Sequence, residues 1–143
     1  MRKNRLRILS ALIDRLATTL TGAEIRSTAI IGPGLHVAHT YGLVIGGNVR
    51  AGSNLSVRQC TTIGGSGGKV RQNGDGVRWS QPMIGDNVSI GCNSALLGLI
   101  KVGSDATIGA SSLVIHDVSP QIVVGGVPAK PIGGTGFDAT NIL

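Results

Sequence analysis

Large rings are nearly absent from this chain: its 143 residues include one Phe, one Tyr and one Trp. Globular interiors usually draw much of their buried area from such rings, so any core here is aliphatic and built of thin, uniform layers. Charge is scarce too, at 14%, against 41% apolar residues and a mean hydropathy of +0.27. That is the reverse of the low-hydropathy, high-charge signature of a disordered chain. Only two cysteines occur, Cys60 and Cys92, far apart and without CxxC spacing. They define neither a disulfide framework nor a zinc site, and reduced thiols in a cytoplasmic protein are the simplest account. No apolar run approaches the roughly 20 residues of a membrane span. Glycine, in contrast, is abundant, with 23 residues and no three-residue period, which excludes a collagen-like helix.

The net charge of +6 is unevenly spread: Arg2, Lys3, Arg5 and Arg7 supply four of it, leaving +2 on the rest. A basic stripe interleaved with stacking aromatics is missing, so nucleic-acid binding is not expected. Behind the basic start, Leu6, Leu9, Ile13, Leu16 and Leu20 follow 3,4 spacing, and Asp14 and Arg15 interrupt any continuous run. This predicts an amphipathic helix over residues 1–22 in place of a secretory leader. Two roles stay open for it. It either caps the domain or packs in an oligomer, or its basic end contacts an anionic membrane surface at the inner face of the membrane.

A six-residue repeat organises the rest of the chain. Ile25, Ile31, Val37, Leu43, Val49 and Leu55 are aliphatic, and after an interruption so are Ile84, Ile90, Leu96, Val102, Ile108 and Val114. Gly or Ala follows several of them, and the fifth position is small or Val at Ala29, Gly47, Ser53, Val88, Ser94, Ala106, Ser112 and Val118. Neither helix nor sheet periodicity produces a period of six. Short parallel strands joined by tight turns around a prism do, with coils about 4.8 Å apart. Glycine at the corners is expected to supply positive φ and close backbone approach. The fold class is therefore all-β, a parallel β-helix over residues 23–132, with a tail over 133–143.

Residues 64–82 break the period with glycine-rich, polar sequence that includes Lys69, Arg71, Arg78 and Trp79. A solenoid tolerates this only as an excursion from one corner, either a mobile surface loop or an arm over a binding site. Histidine occurs only at His36, His39 and His116. His116 lies roughly three coils beyond His39, at about 4.8 Å each, so no three-histidine metal site is indicated. His39 falls near a corner, where it points outward. Glu24, the only glutamate, precedes it by 15 residues, and an 18-residue coil stacks position 24 beside position 42. A carboxylate there would fix the imidazole tautomer and complete a pair suited to removing a hydroxyl proton. On spacing alone a structural surface histidine remains the other reading.

The segments GAEIRSTAIIGPGLHVAHTYGLVIG, VRQCTTIGG, MIGDNVSIGCNSALLGLIKVGSDATIGASSLVIHDV and GGVPAKPIG resemble, in this order, the left-handed β-helix hexapeptide acyltransferases, in their serine acetyltransferase-like branch. The resemblance covers about residues 20–132. It implies left-handed winding, a homotrimer with active sites between adjacent prisms, and acetyl-CoA as donor to an acceptor hydroxyl. It implies His39 as general base and Glu24 as its acidic partner, in a place where the family usually has Asp. It also implies donor contacts at Gly64, Gly65, Cys92, Thr107, Ala110 and Lys130, with a backbone N–H of the Gly64–Gly65 region facing the oxyanion. Cys92 has no His or other base nearby to activate it as a nucleophile.

Two departures bear on the acceptor. The family's Arg-His-Pro after the glycine-rich loop reads Ser80, Gln81 and Pro82 here, so an acceptor carboxylate loses its bidentate partner unless Arg58 or Arg78 replaces it. The large helical N-terminal domain is replaced by a single helix. These departures favour the related polysaccharide O-acetyltransferases, with a sugar hydroxyl as acceptor and Tyr41, Arg58, Arg78 and Gln81 as its contacts. Serine acetylation and a non-catalytic trimeric scaffold are the alternatives.

Overall fold

The chain winds into a three-sided prism with a helix at its N-terminal end. The computed structural model describes residues 2–65, 67–72, 74, 76 and 78–134, with residues 2–7 and 134 described by their backbone alone. The tail expected beyond residue 134 lies outside the described residues.

Three faces of stacked short strands make the prism. The first face contains Glu24–Ile25 (β1), Val44–Ile45 (β4), Thr62–Gly64 (β7), Ala95–Leu97 (β12) and Leu113–Val114 (β15). The second contains Ile30–Ile31 (β2), Arg50–Ala51 (β5), Met83–Ile84 (β10) and Lys101–Val102 (β13). The third contains His36–Val37 (β3), Ser56–Val57 (β6), Ser89–Ile90 (β11), Thr107–Ile108 (β14) and Ile122–Gly125 (β16). All these pairings are parallel. Lys130–Gly134 (β17) then turns back antiparallel on β16.

The register corrects the expected phase of the repeat. Glu24 pairs with Val44, Ile30 with Arg50 and His36 with Ser56, twenty residues apart, whereas Val44 pairs with Thr62 and Met83 with Lys101 at eighteen. Two extra residues therefore sit in the corner between β3 and β4, the one that carries His39. Past this slip the inward strand residues are Ile45, Val57 and Ile63, all fully buried. Leu43, Val49 and Leu55 are buried as well, but as corner residues that turn in just before each strand. Gly47 and Ser53 are accordingly not the small inward residues that the unbroken period predicts. In the upper coils Ile84, Ile90, Leu96, Val102, Ile108 and Val114 stack as expected, each at most 5% exposed. Burying an aliphatic side chain of this size contributes about 1.5–3 kcal/mol.

Glycine plays both of its expected corner roles, and positive φ is seen at Gly34 (81°), Gly42 (68°) and Gly98 (97°). The left-handed conformation that recurs at the corners is also taken by Asn48, Asn54, Asn87, Asn93 and Asp105, with φ between 55° and 63°; Asn and Asp tolerate this region because their side chains bond locally. Those side chains also ladder up one edge, Asn54 Nδ2 donating to Asn87 Oδ1 at 2.9 Å and Asn87 Nδ2 to Asp105 Oδ1 at 3.0 Å. Glycine is required where one coil touches the next: a Cβ on Gly85 would lie 2.6 Å from the Ser104 amide nitrogen, and one on Gly91 2.5 Å from that of Ala110.

The helix Arg2–Thr21 (α1) meets the prism through its polar side. Ser27 Oγ donates to Asp14 Oδ2 at 3.1 Å, Ser10 Oγ donates to Ser27 Oγ at 3.2 Å, and Ser10, Asp14 and Thr18 are half-buried. The apolar stripe therefore faces outward, with Ile8, Leu9, Leu12, Ile13, Leu16 and Leu20 between 52% and 75% exposed. Among the described residues no helix is long and apolar enough to cross a membrane.

Candidate active site

The edge between the third and first faces collects residues from four successive coils. Its corners are tied by backbone bonds: Gly42 N–H to Gly22 O at 2.9 Å, Cys60 N–H to Tyr41 O at 2.8 Å, Asn93 N–H to Gln59 O at 3.0 Å and Ser111 N–H to Cys92 O at 2.9 Å. His39, Tyr41, Arg58, Cys92 and Ala110 all stand on these corners. His39 is exposed and Tyr41 is 79% exposed. The two-residue insertion is what lifts this corner out of the regular turn, and Thr40 Oγ1 fastens it by donating to Thr21 O at 2.6 Å.

Above His39 on the same edge lies a groove of about 420 Å³, lined by Arg58, Gly91, Cys92, Thr107, Gly109 and Ala110 and closed by Ile132 from β17. Three of the expected donor contacts, Cys92, Thr107 and Ala110, meet there, and Arg58, expected at the acceptor, joins them. Small residues leave a slender channel, and one guanidinium at its wall suits a phosphorylated, thread-like substrate. Three hydroxyls behind the edge, missed by an aliphatic reading of the repeat, hold its shape. Thr61, Ser94 and Ser112 are at most 2% exposed; Thr61 Oγ1 donates to Gly91 O at 3.2 Å, Ser94 Oγ to Gly109 O at 2.9 Å and Ser112 Oγ to Gly109 O at 2.6 Å. Three hydroxyl residues, each a few residues past a third-face strand, were the legible signal. Lys130, on β17, is exposed and does not line the groove.

Glu24 lies on β1, beside the residues that carry the His39 corner, and stacks against Val44, not position 42. Its Oε1 is 3.2 Å from Arg26 Nε. Among the described residues no hydrogen bond joins Glu24 to His39. His36 Nδ1 lies 3.3 Å from Ser56 Oγ on the third face, and His116 follows β15 beyond a different corner. Among the described residues no group of three or more His, Cys, Asp or Glu side chains could hold a metal.

The other site residues fall on the edge between the first and second faces, where the excursion leaves. Gly64 is buried at the end of β7, Gly65 is exposed, and Gln81 Oε1 sits 3.4 Å from where a Cβ on Gly64 would lie. The excursion is held against the prism: Arg71–Gln72 (β8) and Arg78–Trp79 (β9) form an antiparallel hairpin. Trp79 is 5% exposed, with Lys101 Nζ 4.3 Å and Arg71 Cζ 5.6 Å from its ring centroid. Arg71 Nη1 reaches Asp117 Oδ2 at 2.9 Å, and Asp117 Oδ1 accepts the Lys101 N–H at 2.8 Å. One chain thus carries His39 with the groove on one edge and Gly64, Gly65, Arg78 and Gln81 on another. The two sets lie on opposite sides of the first face.

No protein-family model matches the chain. It is 38% identical to a serine acetyltransferase of Staphylococcus epidermidis over 98% of its own length and 65% of the relative's. It is 36% identical to one of Mycobacterium tuberculosis over 89% and 52%. Over most of its length the chain is similar to the serine acetyltransferase-like hexapeptide-repeat proteins. Among solved structures, the serine acetyltransferase of Brucella abortus superposes with a TM-score of 0.82 at 31% identity, covering 96% of this chain and 52% of that one. The complex of the Brucella enzyme with coenzyme A gives 0.81 at 32%, covering 94% and 51%. The prism is accordingly a left-handed β-helix. This serine acetyltransferase-like chain spans roughly a third to two-thirds of the length of the curated relatives it matches.

Proposed function

We propose that this chain, assembled as a homotrimer, transfers an acetyl group from acetyl-CoA to the hydroxyl of L-serine. The observation that carries the reading is the stacking of His39 beneath the Cys92–Thr107–Ala110 groove on one prism edge. In the transfer, His39 takes the proton of the acceptor hydroxyl as its oxygen attacks the thioester carbonyl. The C–S bond then breaks, and the imidazolium returns its proton to the departing thiolate. Glu24 orients the imidazole, and an N–H near Gly64 and Gly65 of a neighbouring copy faces the developing oxyanion. Acetyl-CoA threads the groove, with Arg58 and Lys130 available to its phosphates.

Two features support assembly: the division of the site between two edges and the uncovered apolar stripe of α1. Serine replaces the sugar acceptor expected from Ser80 and Gln81, because the matched relatives are serine acetyltransferases; the sugar reading draws no support from them. The location is read as cytoplasmic.

The test is CoA release measured with L-serine and with a panel of sugars. Release with serine alone supports the reading, and release with a sugar alone overturns its acceptor. If acetyl-CoA neither reacts nor raises the melting temperature, the chain is a scaffold, because a donor well above its Kd stabilises the fold it binds.

A further inference from the structure

A second hollow, of about 270 Å³, lies between the second face and the base of the excursion, lined by Ile30, Asn48, Arg50, Arg78, Trp79 and Ser80. We infer that Arg50 and Arg78 in this hollow bind the carboxylate of the acceptor, an inference that rests on the acyltransferase reading.

The charges point there first. Arg26 and Arg71 each face a carboxylate, Glu24 and Asp117. Among the described residues Arg50 and Arg78 face none, although both line the same hollow. Two guanidinium forks lining one hollow, with no described counter-ion, suit a planar, bidentate anion. Lys101 and Arg71, which lie over the Trp79 ring, add to the positive field, and Asp117 is already engaged by Arg71. The indole Nε1 is buried with no hydrogen-bond partner among the described residues, an orphan that calls for an explanation.

Height along the axis agrees. Ile30 and Arg50 pair directly across the two coils between which the His39 corner is inserted. The donor groove reaches down to Arg58, on the coil of Arg50, and lies mainly higher, at Ser89, Cys92, Thr107 and Ala110. A neighbouring prism in register would therefore set the hollow level with His39 and below most of the groove, where the acceptor has to lie. At about 270 Å³ the hollow has room for a small acid. The site is incomplete without a second copy, since in one chain the first face separates Arg50 from His39.

Trp79 is the only tryptophan and lines the hollow, so its emission reports occupancy apart from turnover. The assembled protein is titrated with L-serine, with serinol, in which a hydroxymethyl group replaces the carboxylate, and with inorganic phosphate, alongside Arg50→Gln and Arg78→Gln. L-serine is expected to shift the emission and serinol to leave it unchanged. Each variant should weaken serine binding and raise the KM for serine by about tenfold to a hundredfold, as loss of a charge-assisted hydrogen bond would. The KM for acetyl-CoA and kcat should hold. Unchanged emission with serine, or variants that raise the KM for acetyl-CoA in place of serine, overturns the inference. Phosphate binding tighter than serine, lost in both variants, likewise overturns it by assigning the hollow to the donor. If serine binds in an arginine-dependent way but only another hydroxyl is acetylated, the carboxylate site stands while serine as acceptor fails.

Discussion

The Cys60 N–H donates to the Tyr41 carbonyl at 2.8 Å, which clamps the bulged corner to the next coil two residues from the His39 imidazole. The side chain is thus presented to solvent from a fixed backbone. His39→Ala should leave the melting temperature almost unchanged, because truncating an exposed side chain that fills no core, caps no helix and pairs with no buried charge changes stability by about 0.5 kcal/mol or less. Transfer should fall by roughly 30-fold to several thousandfold, the loss of about 2–5 kcal/mol expected on removing a general base. Steady-state CoA release checks both the rate and its pH profile, and a variant working at the parental rate would remove His39 from the mechanism.

Glu24 separates two roles that a single substitution confuses. Its ion pair with Arg26 joins side chains that are 44% and 57% exposed, so solvent screening limits the pair to about 0–1 kcal/mol. Arg26→Gln should therefore change neither stability nor kcat appreciably. Glu24→Gln should lower kcat by about tenfold to a hundredfold with a smaller change in the KM for serine, if the carboxylate orients the imidazole during proton transfer. Equal effects of the two substitutions would assign Glu24 to the ion pair alone.

The hydroxyl column behind the groove predicts a coupled loss. Ser94 is 1% exposed, and its hydroxyl bonds Gly109 O, which also accepts from Ser112 Oγ, so Ser94→Ala removes one of two side-chain bonds to that carbonyl at a cost of about 0.5–1.5 kcal/mol. Because Gly109 lines the donor groove, the KM for acetyl-CoA should rise with the loss of thermal stability, and the KM for serine should not. A rise in the serine KM alone would contradict the placement of the donor.

The architecture was readable because a prism repeats: twelve aliphatic positions at a spacing of six, and a shortage of rings, have one geometric cause. Its phase was not readable past Val37. The two extra residues near His39 leave Leu43, Val49 and Leu55 apolar, since corner and strand positions both point inward and a slip of two exchanges one for the other. The residues of the donor groove, Cys92, Thr107 and Ala110, came from likeness to relatives, because small corner residues carry no chemical signature of their own. Trp79 misled in a different way. As the only indole, on a polar excursion, it read as part of either a mobile surface loop or an arm over a binding site, but Lys101 and Arg71 lie over its ring and it is 5% exposed.

Glycine at the coil contacts admits a sharp contrast. A Cβ on Gly85 would lie 2.6 Å from the Ser104 amide nitrogen, while one on Gly74 meets nothing within 4 Å. Gly85→Ala forces two stacked coils apart and should cost about 1–3 kcal/mol, as overpacking does. Gly74→Ala should be neutral or stabilising by up to about 1 kcal/mol, through the unfolded chain. Thermal unfolding of both variants checks this, and equal midpoints would mean that the coils can part without strain.

The outward stripe of α1 bears on assembly. Leu12 and Leu16 are 62% and 60% exposed within one chain, so Leu12→Ser with Leu16→Ser removes little that the chain itself buries. If copies cover the stripe, each leucine contributes about 1.5–3 kcal/mol to assembly, and the double variant should sediment as a smaller species at low micromolar concentration while keeping its β-rich circular dichroism. Its activity should then fall with dilution faster than the parent's, because in the proposed assembly His39 and the Arg50–Arg78 hollow come from different copies. An unchanged sedimentation coefficient, together with parental binding to anionic vesicles that the double variant loses, would instead assign the stripe and its basic end to a lipid surface.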